Sequence, residues 1–210
     1  EERGIEVTPE NFKLCSATGI ILPQHVSADE IREGGRAAQG TTKSGIGPAA
    51  ADRSARKGWI VEAFNKKPEE LEKNIIAALR RQRPARKQAE LEQLDEVSTA
   101  EEYVTNARRL GIFTTDVAYY LNKQLSKNKP ARILAEGAQG FLLDRDQGMI
   151  PFTSSTTTWS GGVAPGLGIA PTHITKIIDA VKAVQSHVGG GPFVPEIFAP
   201  ILLYRCKGGT

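Results

Sequence analysis

The sequence predicts an α/β protein: a mostly parallel central sheet flanked by helices, carrying a helical insertion and forming an incomplete domain. Three observations lead there. Helical periodicity over residues 68–125 is followed by a turn at residues 127–130 and an apolar run at residues 132–135, the helix-to-strand order of parallel sheets. Two further candidate strands, residues 5–7 and 19–22, stand near the start, and Pro23 closes the second. Glycine-rich loops follow candidate strands, where ligands of parallel sheets gather beyond the carboxyl ends.

Composition narrows the class. The 210 residues are 40% hydrophobic and 24% charged, enough for one sizeable core and unlike disordered or collagen-like chains. Lys and Arg exceed Asp and Glu by 27 to 24, and the basic residues are scattered, which argues against nucleic acid and for a small anion as partner. Cys15 and Cys206 have no metal-ligand spacing and read as reduced thiols. No apolar run approaches the roughly 18 residues of a membrane span, so the expected setting is cytoplasmic, with no membrane partner. The chain opens on Glu1 and its single methionine is Met149, so a piece of a longer chain is expected.

Taken in order, residues 25–35 read as a short helix capped by Ser27 and ended by Gly34 and Gly35, with His25 in a structural role. Residues 40–56 form a phosphate-style loop running into a helix. It is not a Walker loop, because Ile46 rather than lysine follows Gly45 and Lys43 comes too early. Thr41 and Thr42 can still donate to an anion at the helix N-terminus. Asp52, Arg53 and Arg56 share a face, either as a surface ion pair or, for Arg56, as a phosphate ligand.

The helical block begins at Pro68 and places Leu71, Ile75 and Leu79 at i, i+4, i+8, with Pro84 expected to stop that helix. Ser98 and Glu101 suggest a capping box, and Thr115 or Asp116 a cap for the next helix. The basic residues 80–87 lack interleaved aromatics and read as a solvated face. From residue 133 to 171 an apolar run leads into spaced glycines and a Ser/Thr cluster, which suits close approach to a phosphate or a purine edge. Residues 174–181 fit a helix, and residues 184–188 and 201–204 fit strands, with another glycine loop at residues 189–191. No repeat or domain boundary appears, so residues 1–210 read as the central part of a single domain.

The motifs Gly40-Thr41-Thr42 with Gly45-Ile46-Gly47-Pro48, Glu136-Gly137-Ala138-Gln139-Gly140 with Leu142-Leu143-Asp144, Pro151-Phe152, Ser154-Ser155, Gly161-Gly162-Val163-Ala164, and Val188-Gly189 with Gly191-Pro192-Phe193 together resemble the adenylosuccinate synthetase family. That resemblance implies a ligase that joins L-aspartate to IMP using GTP and Mg²⁺. The IMP 6-oxygen is phosphorylated first, and the aspartate amine then displaces the phosphate. It further implies that Thr42 and Ser154 contact the IMP phosphate and that Arg56 reaches the same phosphate from the neighbouring subunit of a homodimer. Gln139 would activate the purine 6-oxygen, Leu143 would support the base, and Val188 and Gly189 would lie against the ribose.

Ser44, Gln147, Thr157 and His187 depart from the commoner pattern, where arginine, histidine, asparagine and arginine stand. A relative that makes the 2-amino analogue from dGMP could be built on the same frame. The family's catalytic aspartate and histidine, its metal ligands and its guanine-recognition segment have no counterpart here. The chain is therefore expected to hold part of the IMP pocket, no metal ligand, and little of the catalytic machinery. A reading of a different class is a non-catalytic nucleotide-binding or dimerisation module.

Overall fold

A computed structural model of the protein describes residues 4–35, 38–183 and 190–191. The architecture is α/β, with a small parallel sheet and seven α-helices among the described residues. Strands β1 (Leu14–Cys15) and β2 (Thr114–Thr115) pair in parallel, Leu14 with Thr114 and Cys15 with Thr115. Between them run α1 (Pro23–Glu33), α2 (Ile46–Ser54), α3 (Ala63–Lys66), α4 (Pro68–Gln88) and α5 (Glu96–Gly111), while α6 (Val117–Leu125) and α7 (Val163–Leu167) follow β2. A parallel pair needs such a crossover, because no tight turn can return the chain in the same direction.

The core sits where α4 meets α5. Leu71, Ile75 and Leu79 form the stripe the sequence predicts and are almost completely enclosed, together with Ala100, Val104 and Ala107 from α5. Ile20, Leu22, Val61 and Phe64 complete the cluster. Burying each large aliphatic side chain contributes roughly 1.5–3 kcal/mol. A Cβ on Gly111, at the end of α5, would run into the Asn65 side chain, whose amide donates to the Gly111 carbonyl at 2.9 Å.

Several local expectations give way to tertiary contacts. Helix α1 begins at Pro23 rather than near Ser27, because the His25 ring accepts the Leu22 N–H at 3.0 Å and starts the helix a turn earlier. Ser27 is instead buried, accepting from Arg86. Gly34 does end the helix. Pro84 does not stop α4, which continues to Gln88. The proline removes one helix hydrogen bond, but the turn around it is anchored from outside: Arg83 forms a fork with Glu96, and Arg86 reaches Ser27, Glu30 and the Glu92 carbonyl. Asp95, not Ser98, caps α5, accepting from the Val97 and Ser98 amides. Asp116 caps α6 as expected.

The predicted strands fare differently. Residues 5–7 and 132–135 form no strand, and Gly19 makes only an isolated antiparallel bridge to Ile60. Strand structure requires a neighbour's hydrogen bonds, and Leu134 is 85% exposed. Residues 174–181 are not helical. The predicted strands at 184–188 and 201–204 lie outside the described residues, as does Cys206. The Cys15 thiol is free and half-buried. Among the described residues no helix is long and apolar enough to cross a membrane.

One half-buried tyrosine links this packing to pH. Tyr103 on α5 donates to the Ile21 carbonyl at 2.8 Å, and burial pushes its phenol up to about 12 from 10.0. The folded state thus favours the neutral phenol, a contribution fully present below pH 10 and lost as pH rises towards 12. Tyr103→Phe is expected to cost about 1 kcal/mol at neutral pH and to flatten the decline in stability above pH 10. Denaturant unfolding across that range checks it, and an unchanged alkaline slope in the variant contradicts it.

Candidate functional site

Two loops carry most of the predicted site residues, and each is fastened by carboxylates. In the first, residues 39–45, Asp29 is buried and accepts from the Gly45 N–H at 3.0 Å and the Thr41 hydroxyl at 3.2 Å. Glu33 accepts from the backbone amides of Gln39, Gly40 and Thr41 at 2.9, 2.9 and 3.1 Å. The Gln39 amide, with help from Thr41 and Gly40 and against desolvation, holds the Glu33 carboxyl below the ordinary carboxylate value. Gly45 has φ +75°, and a Cβ there would lie 2.7 Å from the Val26 nitrogen, so only glycine lets the loop pass α1 so closely.

This loop delivers Thr42 to the surface, its hydroxyl 2.9 Å from that of Ser44. The backbone N–H groups of Thr42 and Ser44 have no acceptor among the described residues. Helix α2 begins immediately afterwards, its N-terminal dipole end adding to these free donors.

The second loop, residues 139–158, is organised by Asp144, which is fully enclosed. One carboxylate oxygen accepts from the Asp146 and Gln147 amides, both at 2.9 Å, and the other from the Thr158 amide at 2.8 Å. Burial alone would raise this carboxyl, but those three amides hold it below its ordinary value. Gly148 closes the turn, where a Cβ would collide with the carbonyls of Leu142 and Asp144. Leu143 and Ser154 meet directly, the Ser154 N–H donating to the Leu143 carbonyl at 2.7 Å. The Ser154 hydroxyl lies 3.1 Å from that of Thr156.

The two loops approach one another. A Cβ on Gly47 would lie 3.6 Å from the Ser155 hydroxyl. Gly190 donates to the Gln39 carbonyl at 3.0 Å, and a Cβ on Gly191 would press on the Phe152 side chain. Residues 39–47, 152–155 and 190–191 thus converge on one open surface. Val188 and Gly189 lie outside the described residues, immediately before Gly190. Clefts of about 310 and 560 Å³ elsewhere on the molecule contain none of Thr42, Gln139 or Ser154.

Arg56 is not on that surface by the same route. It follows the end of α2, whose nine residues separate it from the Thr42 loop by about 14 Å of helix. The backbone there forms a Schellman turn, with Arg56 donating to Arg53 and Lys57 to Asp52. Arg56 occupies the left-handed position, φ +59°, where glycine is ordinary. Gln139 is exposed with φ +73°, and Lys43 has φ +54°. Three of the four described non-glycine residues with positive φ therefore lie in segments singled out for ligand contact, and such strain concentrates where function demands it. The expected ion pair among Asp52, Arg53 and Arg56 does not form: Asp52 faces His25 at 3.2 Å, and Arg53 reaches the Ala17 carbonyl. Since the His25 Nδ1 accepts from Leu22, the ring hydrogen is assigned to Nε2, which donates to Asp52.

Sequence reasoning assigned no role to Asp29, Glu33 or Asp144. The i, i+4, i+8 spacing of His25, Asp29 and Glu33 on one face of α1 was the available signal. Among the described residues no group of three His, Cys, Asp or Glu side chains is placed to hold a metal ion.

Comparison with known proteins agrees with the order of motifs. The family model for adenylosuccinate synthetase matches residues 1–206. A curated adenylosuccinate synthetase from Leuconostoc mesenteroides subsp. mesenteroides is 36% identical over 199 residues, covering 91% of this chain and 45% of that protein. A solved structure of fully ligated adenylosuccinate synthetase from Plasmodium falciparum superposes with a TM-score of 0.74 at 27% identity, covering 95% of this chain and 47% of the other. The chain thus spans about half the length of these relatives.

Proposed function

Because the chain belongs to the adenylosuccinate synthetase family, we propose that the intact protein joins L-aspartate to IMP in purine nucleotide biosynthesis, with GTP as phosphoryl donor. The observation that supports this most is the convergence of residues 39–47, 152–155 and 190–191, which gathers hydroxyls with the Thr42 and Ser44 amides, N–H groups that have no acceptor among the described residues. Such groups suit a nucleotide phosphate.

In this reading residues 1–210 form the central part of one domain and supply part of the IMP site. Thr42 and Ser154 hold the phosphate with their hydroxyls. Gln139, exposed and in a left-handed backbone conformation, donates to the purine 6-oxygen while that oxygen is phosphorylated, and Leu143 lies beneath the base. Val188 and Gly189 bear on the ribose. Preorganised donors aimed at developing charge are worth most where they need not reorient, which is what the Asp144 and Glu33 fastenings provide. Mg²⁺ would neutralise charge on the transferring phosphoryl group; none of this chain's residues is assigned to it. Arg56 acts from the partner in a cytoplasmic homodimer.

The test is turnover by the full-length parent. Conversion of IMP is expected to require both GTP and aspartate, and the 210-residue chain alone is expected to show none. Ser44, which stands where arginine is common and bonds the Thr42 hydroxyl, is the specific reason to include dGMP in the same assay. Turnover of dGMP with none of IMP would overturn the IMP reading in favour of the 2-amino relative.

A further inference from the structure

We infer that Asp29 and Glu33 are positioning residues that preorganise the 39–45 loop to receive the phosphate monoester of the nucleotide. The inference rests on the reading of Thr42 as a phosphate contact.

Residues four apart project from one face, so His25, Asp29 and Glu33 form a line along α1. Each fastens a different point of the following segment. His25 binds Asp52 on α2, Asp29 binds the Gly45 amide and the Thr41 hydroxyl, and Glu33 binds the amides of residues 39, 40 and 41. Thr41 passes the restraint on, because its hydroxyl accepts the Lys43 N–H at 3.2 Å.

The pattern divides the loop's donors into two sets. Amides 39, 40, 41 and 45 are taken by the carboxylates of α1. Amides 42 and 44 find no acceptor among the described residues. A loop free to rearrange could turn any of its amides towards a bound anion, or none. With the first set occupied, the second is the one that remains for a ligand, and its geometry exists before binding. The ordering entropy is then met during folding rather than at association, which favours affinity.

Two negative charges beneath an anion-binding loop oppose the ligand electrostatically, so the arrangement makes sense only if the carboxylates' acceptor capacity outweighs that repulsion. Both are extensively hydrogen-bonded. The Glu33 carboxyl stays ionised well into acid because of its amide partners, so its acceptors persist throughout the neutral range. Lys43 within the loop and Arg32 beside Glu33, which donates to Gln39 at 2.6 Å, offset part of the charge.

Steady-state kinetics of the full-length parent decide the matter, with IMP and GTP varied separately. Glu33→Ala is expected to raise KM for IMP about tenfold and leave KM for GTP within about twofold. Glu33→Gln keeps one acceptor oxygen and should show an intermediate rise of about threefold. Asp29→Asn should behave like Glu33→Gln, since its amide oxygen can accept from Gly45 while its NH₂ donates to Thr41. Asp29→Ala should follow Glu33→Ala; if that variant fails to fold, the Glu33 pair alone decides. Thr42→Ala in the same assay separates the two layers of argument. If Thr42→Ala raises KM for IMP but the Glu33 and Asp29 variants do not, the positioning role is overturned and the phosphate contact stands. If Thr42→Ala has no effect, the underlying reading fails and the inference with it. Parallel rises in KM for IMP and GTP would mark a merely structural role and overturn the inference too.

Discussion

Arg56→Leu in the full-length protein is expected to lower kcat/KM for IMP by about a hundredfold while leaving KM for GTP within about twofold. Three features set that expectation. Arg56 stands at the left-handed position of a Schellman turn, where an arginine costs on the order of 1 kcal/mol relative to glycine. It is exposed, and α2 separates it from Thr42 of its own chain. An exposed arginine kept at a strained site beyond the far end of α2 from Thr42 suits a neighbour's pocket.

Subunit mixing makes the proposal sharper. In a heterodimer of Arg56→Leu and Thr42→Ala chains, one site combines both defects and the other has neither. Half of randomly mixed dimers are heterodimers, so activity should recover to about a quarter of the unmutated value. No recovery on mixing would exclude the shared site, and an unchanged KM for IMP in the single variant would exclude the contact itself.

Arg86→Ala is expected to have the largest effect on stability, about 3 kcal/mol by denaturant unfolding of the full-length protein. Arg86 is 5% exposed, and its guanidinium donates to Ser27 at 3.0 Å, Glu30 at 2.6 Å, and twice to the Glu92 carbonyl at 2.9 and 2.7 Å. Removing it strands a buried hydroxyl and a carbonyl, and it releases the end of α4 from both α1 and the segment leading into α5. Lysine keeps the charge but not the planar fork, so Arg86→Lys should recover only a minor part of the loss. A loss below about 1 kcal/mol for the alanine variant would show that water replaces these bonds.

How much of this was legible in the sequence depends on how local the cause is. The Leu71, Ile75 and Leu79 stripe was legible because a helix's buried face follows from its own spacing, and Gly34 and Asp116 act within a single turn. Pro84 misled because proline's effect on a helix is local, whereas the bonds of Arg83 and Arg86 that carry the helix past it come from segments distant in sequence. Ser98 and Ser27 misled for a related reason: each had a better-placed competitor upstream, Asp95 in one case and Pro23 with His25 in the other.

Strands were the least legible elements. Leu14–Cys15 and Thr114–Thr115 are strands only because each supplies the other's partner from a hundred positions away in the chain, and no pattern of two residues announces that. The more convincing apolar run at Ile133 and Leu134 has no such partner among the described residues. In the candidate site, the order of motifs pointed to Thr42, Gln139, Leu143 and Ser154, and the structure brings Leu143 against Ser154 and Gly47 near Ser155. The fastenings were not legible, because a carboxylate's role is defined by the amides it meets, and those depend on loop backbone rather than on residue type.

Asp144 illustrates what such a fastening excludes. Its ionised carboxylate offers only acceptors, and three amide N–H groups point at it. Asparagine has nearly the same outline, yet it would turn an NH₂ group towards at least one of those amides, setting donor against donor. At this position shape cannot stand in for charge. The substitution that a size-based reading would rank as mildest is the one that reverses the sense of a hydrogen bond.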